Sequence, residues 1–290
     1  EVELASTYQR WRVTKEIRVT DVDLTLPVTD QVKDIGNNLG LNPKALRATL
    51  EDLEEDLEDD TGISVRLPLD EQGADILLIT PSADFFAEPH IDGLLGYAKV
   101  FHEAGVSWTL SSYASEAANF GLFIGSYENM REIALRIRKA AQDLRVKRII
   151  FGECGHAWRV AYSYLNTLAG PWDFLDSSYP VPQHIMEFTW GEIQKGTLTF
   201  DKSRNDDFRM TYHDSCNVAR ASRMGDEAGG QFEIPRNMIK AVCNHFYDMP
   251  DETIREATLC CGGGGGLLTD DLMDLRRKGA SPRMTALQQV

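Results

Sequence analysis

Two adjacent cysteines followed by a run of glycines form the part of this sequence best suited to chemistry. Cys260 and Cys261 precede a glycine at each of positions 262–266. Adjacent cysteines rarely form a disulfide with each other, because that geometry is strained. Both can instead bind one compact group if the backbone comes close to it, and glycine allows this approach and the positive φ angles it needs. We therefore expect a bulky bound group here, with a lining made by Gly262, Gly263 and Gly264.

Three further cysteines stand apart from this pair, and the total of five is odd. A chain of 290 residues does not need disulfides for its stability, so an odd count favours a reducing compartment and free thiolates. Cys154 and Cys216 each follow a predicted strand, and both are candidate ligands. Cys243 extends the apolar face of a helix predicted over residues 234–246, which indicates a buried and unreactive thiol.

Cys216, Cys260 and Cys261 are soft ligands of the kind that select iron–sulfur clusters, zinc or copper(I). Structural zinc sites usually contain two cysteines a few residues apart, and ferredoxin-type clusters have a dense cysteine pattern of their own. Neither pattern occurs here. The long spacing between Cys216 and Cys260 requires a folded layer of strands and helices to bring the ligands together.

Two other interpretations of the glycine run stay open. A glycine-rich loop that enters a helix can bind a phosphate through its amides, although no Lys-Ser or Lys-Thr follows this loop. A nucleotide-binding or structural α/β module is therefore one alternative. The other is a redox pair formed by Cys260 and Cys261 without a metal, although a disulfide between neighbours is strained.

Histidines and arginines lie close to the candidate ligands. His156 and His213 are candidates for catalysis or ligation, but histidines at strand ends also often only hydrogen-bond the backbone. Arg159 and Arg220 follow Cys154 and Cys216 by about one helical turn. They can lower the pKa of a thiol or hold an anionic sulfur species, or they are ordinary surface arginines.

The composition is that of a globular protein with one large domain or two smaller ones, being 42% hydrophobic. A net charge of −15 and a pI near 4.8 argue against nucleic acid or an acidic membrane surface as the main partner. No apolar run reaches the roughly 18 residues that a membrane span requires. The chain starts at Glu1 with neither a basic leader nor a methionine, so we expect a part of a longer protein.

An alternation of strands and helices predicts an α/β fold with a parallel sheet covered by helices on both faces. Ligands bind in such folds beyond the carboxyl ends of the strands, and Cys154 stands at one of these ends. An amphipathic helix over residues 43–61 comes first, and its acidic face is either a solvated surface or a docking surface for a basic partner. The predicted strands are 74–80, 107–110 and 147–151, and the predicted helices between them are 91–104 and 128–144.

The second half of the chain shows the same order of elements, which predicts an internal repeat. A crossing segment rich in proline and serine leads to a helix over 184–195. A strand over 208–213 then runs into Cys216, and a strand near 257–259 delivers Cys260 and Cys261. Little is predicted for residues 1–40 beyond a short strand at 16–26. The predicted divisions are 1–72 (linker and acidic helix), 73–170 (first repeat), 171–207 (crossing segment) and 208–290 (second repeat, truncated at its C-terminus).

The cysteine motifs as a set resemble the cysteine-rich CCG domains of heterodisulfide-reductase-like proteins, and most closely the DsrK-like subunits of the DsrMKJOP membrane complex of sulfite reduction. The resemblance covers residues 39–290. It rests on three motifs, Gly152-Glu153-Cys154-Gly155-His156-Ala157-Trp158-Arg159, His213-Asp214-Ser215-Cys216-Asn217-Val218-Ala219-Arg220 and Cys260-Cys261-Gly262.

The resemblance implies a 4Fe–4S cluster at which a disulfide or trisulfide on a small DsrC-like protein is reduced or formed. Electrons would come from a cytochrome b-type membrane subunit, which implies a cytoplasmic protein bound peripherally to the inner face of the membrane. The family's N-terminal ferredoxin-type cysteines do not occur here, and the closing cysteine motif of the second repeat would fall after Val290. The implied metal ligands are Cys154, Cys216, Cys260 and Cys261, and the implied catalytic residues are Cys216, Cys260, Cys261, His156 and Arg159.

Another member of the same group is an alternative to the DsrK-like assignment. Iron–sulfur subunits of lactate- or glycolate-oxidising complexes use the cluster only to relay electrons, and their partner is a flavoprotein. The sequence does not decide between these two roles.

Overall fold

The structure is a computed structural model that describes residues 30–88, 90–263 and 272–290. The short strand predicted at 16–26 and the predicted glycine ligand Gly264 lie outside the described residues. Residues 30–35 are helical. The remaining α-helices are α1 (Pro43–Thr61), α2 (His90–Glu103), α3 (Asn119–Phe123), α4 (Tyr127–Leu144), α5 (Gly155–Val160), α6 (Asn166–Ala169), α7 (Ile185–Lys195), α8 (Cys216–Ala221), α9 (Gly230–Val242) and α10 (Met273–Leu287).

Four short strands form one parallel sheet in the order β2-β1-β3-β4. Every residue of the central strand β1 is buried, and Ile76 pairs with Trp108 on one side and with Arg148 on the other. Helices pack on this sheet through apolar faces, which confirms the predicted α/β fold with a covered parallel sheet. The strands are β1 (Ile76–Ile79), β2 (Trp108–Thr109), β3 (Arg148–Phe151) and β4 (Gln183–His184).

Helix α1 forms where its capping residues predict it. The side chain of Asn42 accepts hydrogen bonds from the amides of Lys44 and Ala45, and Gly62 ends the helix in the left-handed conformation. The buried side chains on one face are Leu46, Leu50, Leu53 and Leu57, and the acidic side chains opposite are mostly exposed. The predicted amphipathic helix is therefore confirmed.

The described residues fall into two compact units. The sheet unit contains the described residues up to Leu122 together with Ser126–Ile185, and so holds all four strands. The cysteine unit contains Phe123–Gly125 and Met186–Val290, and so holds four of the five cysteines. The division at 72, 170 and 207 predicted from the sequence stays a prediction.

Two strands predicted in the second half are wrong. Residues 208–213 make one isolated parallel bridge, from Met210 to Phe246, and residues 257–259 are not a strand. The physical reason is that side chains join these segments in place of a backbone ladder, as the bond from Thr258 Oγ1 to the carbonyl of Asp214 illustrates.

Helix α9 ends earlier than predicted. Its last residue is Val242, whose carbonyl accepts a hydrogen bond of 2.7 Å from the side-chain amide of Asn205. Cys243 therefore lies just past the helix in extended conformation, and it is buried as predicted. No helix in the described ranges is both long and apolar enough to cross a membrane.

Candidate functional site

Cys216 begins helix α8 in the cysteine unit, directly after Asp214 and Ser215. The residue is partly buried, and its sulfur lies 3.7 Å from the side-chain nitrogen of Asn217. A helix follows Asp214 and Ser215 as predicted, but the segment that leads into Cys216 is not the predicted strand. The contacts of Asp214, two residues earlier, therefore help to position Cys216.

Asp214 is held by a buried ion pair. Arg236, on helix α9, donates to both oxygens of Asp214 at 2.8 and 2.7 Å, and the side chains of both residues are 1% exposed. The same guanidinium binds Asp248, and the amide of Arg255 also donates to Asp214. Desolvation lowers the pKa of Arg236, but its hydrogen bonds to Asp214 and Asp248 raise it further than desolvation lowers it. The bidentate pair between Arg236 and Asp214 fixes the backbone that leads to Cys216.

Thr258 connects this segment to the segment that carries the cysteine pair. Its hydroxyl donates to the carbonyl of Asp214 at 2.7 Å, and its own carbonyl accepts from Arg220 of helix α8 at 2.6 Å. Asp214 and Thr258 each precede a cysteine, Cys216 and Cys260, by two residues. The structure therefore brings the two cysteine-bearing segments together, as the long spacing in sequence required.

The loop at Cys260 and Cys261 presents both thiols to solvent. The amide of Gly262 lies 3.3 Å from the sulfur of Cys260, and the amide of Gly263 lies 3.3 Å from the sulfur of Cys261. Gly262 has φ +84°, and a Cβ there would lie 2.7 Å from the carbonyl oxygen of Arg276. Glycine is thus required at Gly262 by both conformation and contact, as the sequence predicted.

Helix α10 closes this site with a buried arginine. Arg283 donates to the carbonyl of Thr253 and the hydroxyl of Thr258, both at 2.7 Å. Burial lowers the pKa of Arg283, and the negative charges of Asp214 and a Cys261 thiolate raise it. Arg283 therefore fixes Thr258, and with it the segment that leads to Cys260 and Cys261.

His213 is half-buried in the segment that leads to Cys216. Burial lowers the pKa of the imidazole, the charge of Arg283 lowers it further, and Asp214 opposes both. A cationic imidazole is therefore disfavoured, and a role for His213 as an acid is not supported.

The third motif lies in the sheet unit. Cys154 is the N-cap of helix α5 just beyond strand β3, as predicted, and it is partly buried. Burial and the charges of Glu153 and Asp84 raise the pKa of its thiol to about 12, against the opposing effect of the amides of Ala157 and His156. His156 and Arg159 lie on helix α5. Their participation in one site with Cys216, Cys260 and Cys261 stays a prediction.

The sulfurs of the cysteine unit are not gathered with other donor atoms around one point in the described residues. Within the described ranges, no three cysteine, histidine or carboxylate donors that include one of these sulfurs lie within 4.8 Å of one another. A tetrahedral zinc ion needs ligands that close, whereas thiolates around a cluster of several irons lie further apart. The amides of Gly262 and Gly263 near the two sulfurs are donors that can stabilise negative charge on thiolates.

The sequence prediction missed a group of acidic and imidazole side chains in the sheet unit. Asp84, His90 and Glu153 bring one donor atom each within 4.8 Å of the others. Asp84 and Glu153 follow β1 and β3. Their position beyond the carboxyl ends of neighbouring strands is the sequence signal that could have found them.

The sequence analysis also missed the buried carboxyl of Glu116. Burial raises the pKa of this carboxyl to about 7.

The fold and the cysteine site define an α/β protein suited to hold a thiolate-ligated group. The chain is 41% identical over 285 residues to the Hdr-like menaquinol oxidoreductase iron-sulfur subunit 2 of Archaeoglobus fulgidus. It is 40% identical over 285 residues to the Hdr-like menaquinol oxidoreductase iron-sulfur subunit of Archaeoglobus profundus. Each alignment covers 88% of this chain and 50% of the relative, so the chain spans about half the length of the curated relatives it matches.

No protein-family profile matches the chain. No solved structure matches it either.

Proposed function

We propose that this chain is an iron–sulfur part of an Hdr-like oxidoreductase and that its cysteine unit binds a 4Fe–4S cluster. The proposed ligands are Cys216, Cys260 and Cys261, with Cys154 as the fourth. The observation that carries the proposal is the hydrogen bond from Thr258 to Asp214, because it joins the segments that bear Cys216 and the Cys260–Cys261 pair. The similarity to two Hdr-like iron-sulfur subunits supports it.

Groups of this chain near the cysteine sulfurs would influence the reduction potential of the bound cluster. The amides of Gly262 and Gly263 lie 3.3 Å from the cysteine sulfurs and would donate to the thiolates. Arg283 adds a positive charge that acts on Cys261. Such donors and charges stabilise negative charge on sulfur and so set the reduction potential. When bound, the cluster would supply electrons one at a time.

The proposed reaction is the reduction of a disulfide on a small protein with a cysteine-bearing arm, of the DsrC kind. The sulfur–sulfur bond takes up two electrons and two protons and becomes two thiols. A quinol releases the same two electrons and two protons, and the relatives' names describe menaquinol oxidoreductases. We propose a cytochrome b-type membrane subunit as the electron source and peripheral attachment at the inner face of the membrane.

Cluster binding is tested by replacing Cys261 with alanine in the full chain. The anaerobically reconstituted protein should lose most of its iron and acid-labile sulfide, because Cys261 is a proposed ligand. Cys243→Ala is the matched control, since Cys243 lies in the same unit, is buried and is not a proposed ligand. A Cys261→Ala protein that keeps the iron and sulfide content of the wild type, with its low-temperature paramagnetic signal, contradicts the proposal.

The electron acceptor is tested separately with dithionite as reductant. A small protein with two cysteines on a C-terminal arm, supplied as its disulfide, should gain two thiols per molecule in the presence of the reconstituted chain. The Cys261→Ala protein should not support this. A cluster-loaded chain that reduces a flavoprotein but not the disulfide favours the electron-relay alternative instead.

A further inference from the structure

Asp84, His90 and Glu153 form a group in the sheet unit, and Glu153 directly precedes Cys154, the fourth proposed cluster ligand. The Nδ1 atom of His90 lies 3.5 Å from Oδ1 of Asp84 and 3.6 Å from Oε1 of Glu153. When two donor atoms bind one tetrahedral ion, each lies about 2.0–2.2 Å from the ion. The two donor atoms then lie about 3.4 Å from each other. The spacing of these three side chains is thus that of ligands arranged around a common point.

Asp84 has an oxygen that the fold leaves without a hydrogen bond. The residue is 1% exposed, and Oδ2 accepts from the hydroxyl of Thr80. Oδ1 is buried and has no hydrogen-bond partner within the described part of the chain, and it is the atom that faces His90. Because a buried carboxylate oxygen without a hydrogen bond is costly, this atom can be stabilised by a cation placed between it and His90.

The backbone around Glu153 is held from two sides. Its amide donates to the hydroxyl of the buried Tyr97 at 3.0 Å, and the buried His184 makes a hydrogen bond with its backbone. Gly152 allows the end of β3 to lie against β1, since a Cβ there would come within 2.9 Å of Thr80 Oγ1. The fixed backbone holds Glu153 where its carboxylate lies near both His90 and Asp84.

The position of the group in the sheet is one where α/β proteins bind ligands. The chain leaves β1 for β2 on one side and leaves β3 for β4 on the other, so the crevice between β1 and β3 is the topological switch point. Asp84 and Glu153 follow these two strands, and His90 begins helix α2. The side chains of His90 and Glu153 are 45% and 47% exposed, which gives an ion access from solvent.

We propose that Asp84, His90 and Glu153 bind one divalent transition-metal ion at the carboxyl edge of the sheet. Two carboxylates supply the negative charge that a divalent cation needs. The imidazole favours a first-row transition metal over Mg²⁺ or Ca²⁺. Water would fill the remaining coordination positions on the exposed side.

The test uses Mn²⁺, because thiolates bind this hard ion poorly and the cysteines therefore do not compete. The full chain is titrated with Mn²⁺, and the free ion is measured from its six-line paramagnetic signal at room temperature. We expect tight binding of one ion per chain. Asp84→Asn and His90→Gln should each weaken that binding at least tenfold.

His102→Gln is the matched control, since His102 lies exposed on the same helix α2. It should bind Mn²⁺ as the wild type does. His90 is surface-accessible, so His90→Gln keeps the fold even if Asp84→Asn does not. A wild-type chain that binds no Mn²⁺, or binding that His90→Gln leaves unchanged, overturns the proposal.

Discussion

At the scale of single residues, the same side chain takes different chemical roles according to its surroundings. Cys243 is buried past the end of a helix, whereas Cys260 and Cys261 are exposed and have backbone amides near their sulfurs. Cys154 has a thiol whose pKa burial raises to about 12. The sequence already distinguished Cys243 as a buried thiol, and the structure adds the surroundings of the other four.

Glu116 gives a prediction about pH. Burial raises the pKa of this carboxyl from 4.5 to about 7, hydrogen bonds from Ser82 and Ala117 lower it, and the charge of Asp84 raises it. The pKa of Glu116 is higher in the folded state than in the unfolded state. The stabilising effect of the protonated Glu116 is therefore complete below pH 4.5 and is lost as the pH rises through about 7. This loss amounts to about 3 kcal/mol of unfolding free energy.

Urea unfolding of the wild type and Glu116→Gln at pH 4.5 and pH 8 measures this loss. Glutamine has a similar shape and cannot ionise, so the variant should gain stability relative to the wild type as the pH rises. Other ionisable groups cancel in the comparison. A constant difference between the two proteins at both pH values shows that Glu116 does not titrate in this range.

At the scale of elements, the packing of the cysteine loop against helix α10 depends on one glycine. A Cβ at Gly262 would lie 2.7 Å from the carbonyl oxygen of Arg276 and 2.9 Å from Cβ of Ala280, both on α10. We expect Gly262→Ala to cost about 2–4 kcal/mol in unfolding free energy, from the positive φ and the clash together.

Gly196→Ala is the control for conformation alone. Gly196 has φ +77° and nothing within 4 Å of its Cβ position, and it lies in the same unit. We expect Gly196→Ala to lower the unfolding free energy by about 1–2 kcal/mol. Equal losses in urea unfolding of the two variants contradict the close contact at Gly262.

The sequence predicted elements well where local signals were strong. Helix α1 has an asparagine N-cap, a following proline and a final glycine, and its bounds were found from these residues. The strands in the sheet unit are apolar runs buried on both faces, and they were also found. Strand β4 was missed because two residues, Gln183 and His184, carry no periodicity.

The cysteine unit was harder to predict because distant side chains determine its form. Thr258 joins Asp214 through a hydroxyl, and Arg236 joins Asp214 to Asp248, so extended segments need no backbone ladder. Such pairs are not visible in sequence periodicity. The motifs nevertheless predict which thiols are candidate ligands, because a cysteine pair followed by glycines is informative without knowledge of its partners.

At the scale of the whole molecule, each compact unit has a stabilising core of its own. In the cysteine unit this core contains the Arg236–Asp214 pair, with both side chains 1% exposed. Arg236→Ala leaves Asp214 buried without its cation, so we expect the unfolding free energy to fall by about 3–5 kcal/mol. Hydrogen exchange should show faster exchange in residues 208–260, while β1 and β3 keep their protection.

Arg255→Ala is the comparison, because Arg255 pairs with Glu233 and both side chains are 49% exposed. A surface pair of this kind is worth about 0–1 kcal/mol. If Arg236→Ala speeds exchange in β1 and β3 as much as in residues 208–260, the two units unfold as one and the expectation is wrong.

The sheet itself has a further consequence for how the protein meets other chains. Its outer strands, β2 and β4, are two residues long each, and the backbone next to β2 is bridged by Leu69 to Leu110. Few backbone amides and carbonyls are left along these margins for a foreign strand to pair with. The sheet is therefore a poor template for fibre growth or strand addition, and crowded conditions should not convert it into an aggregate by that route.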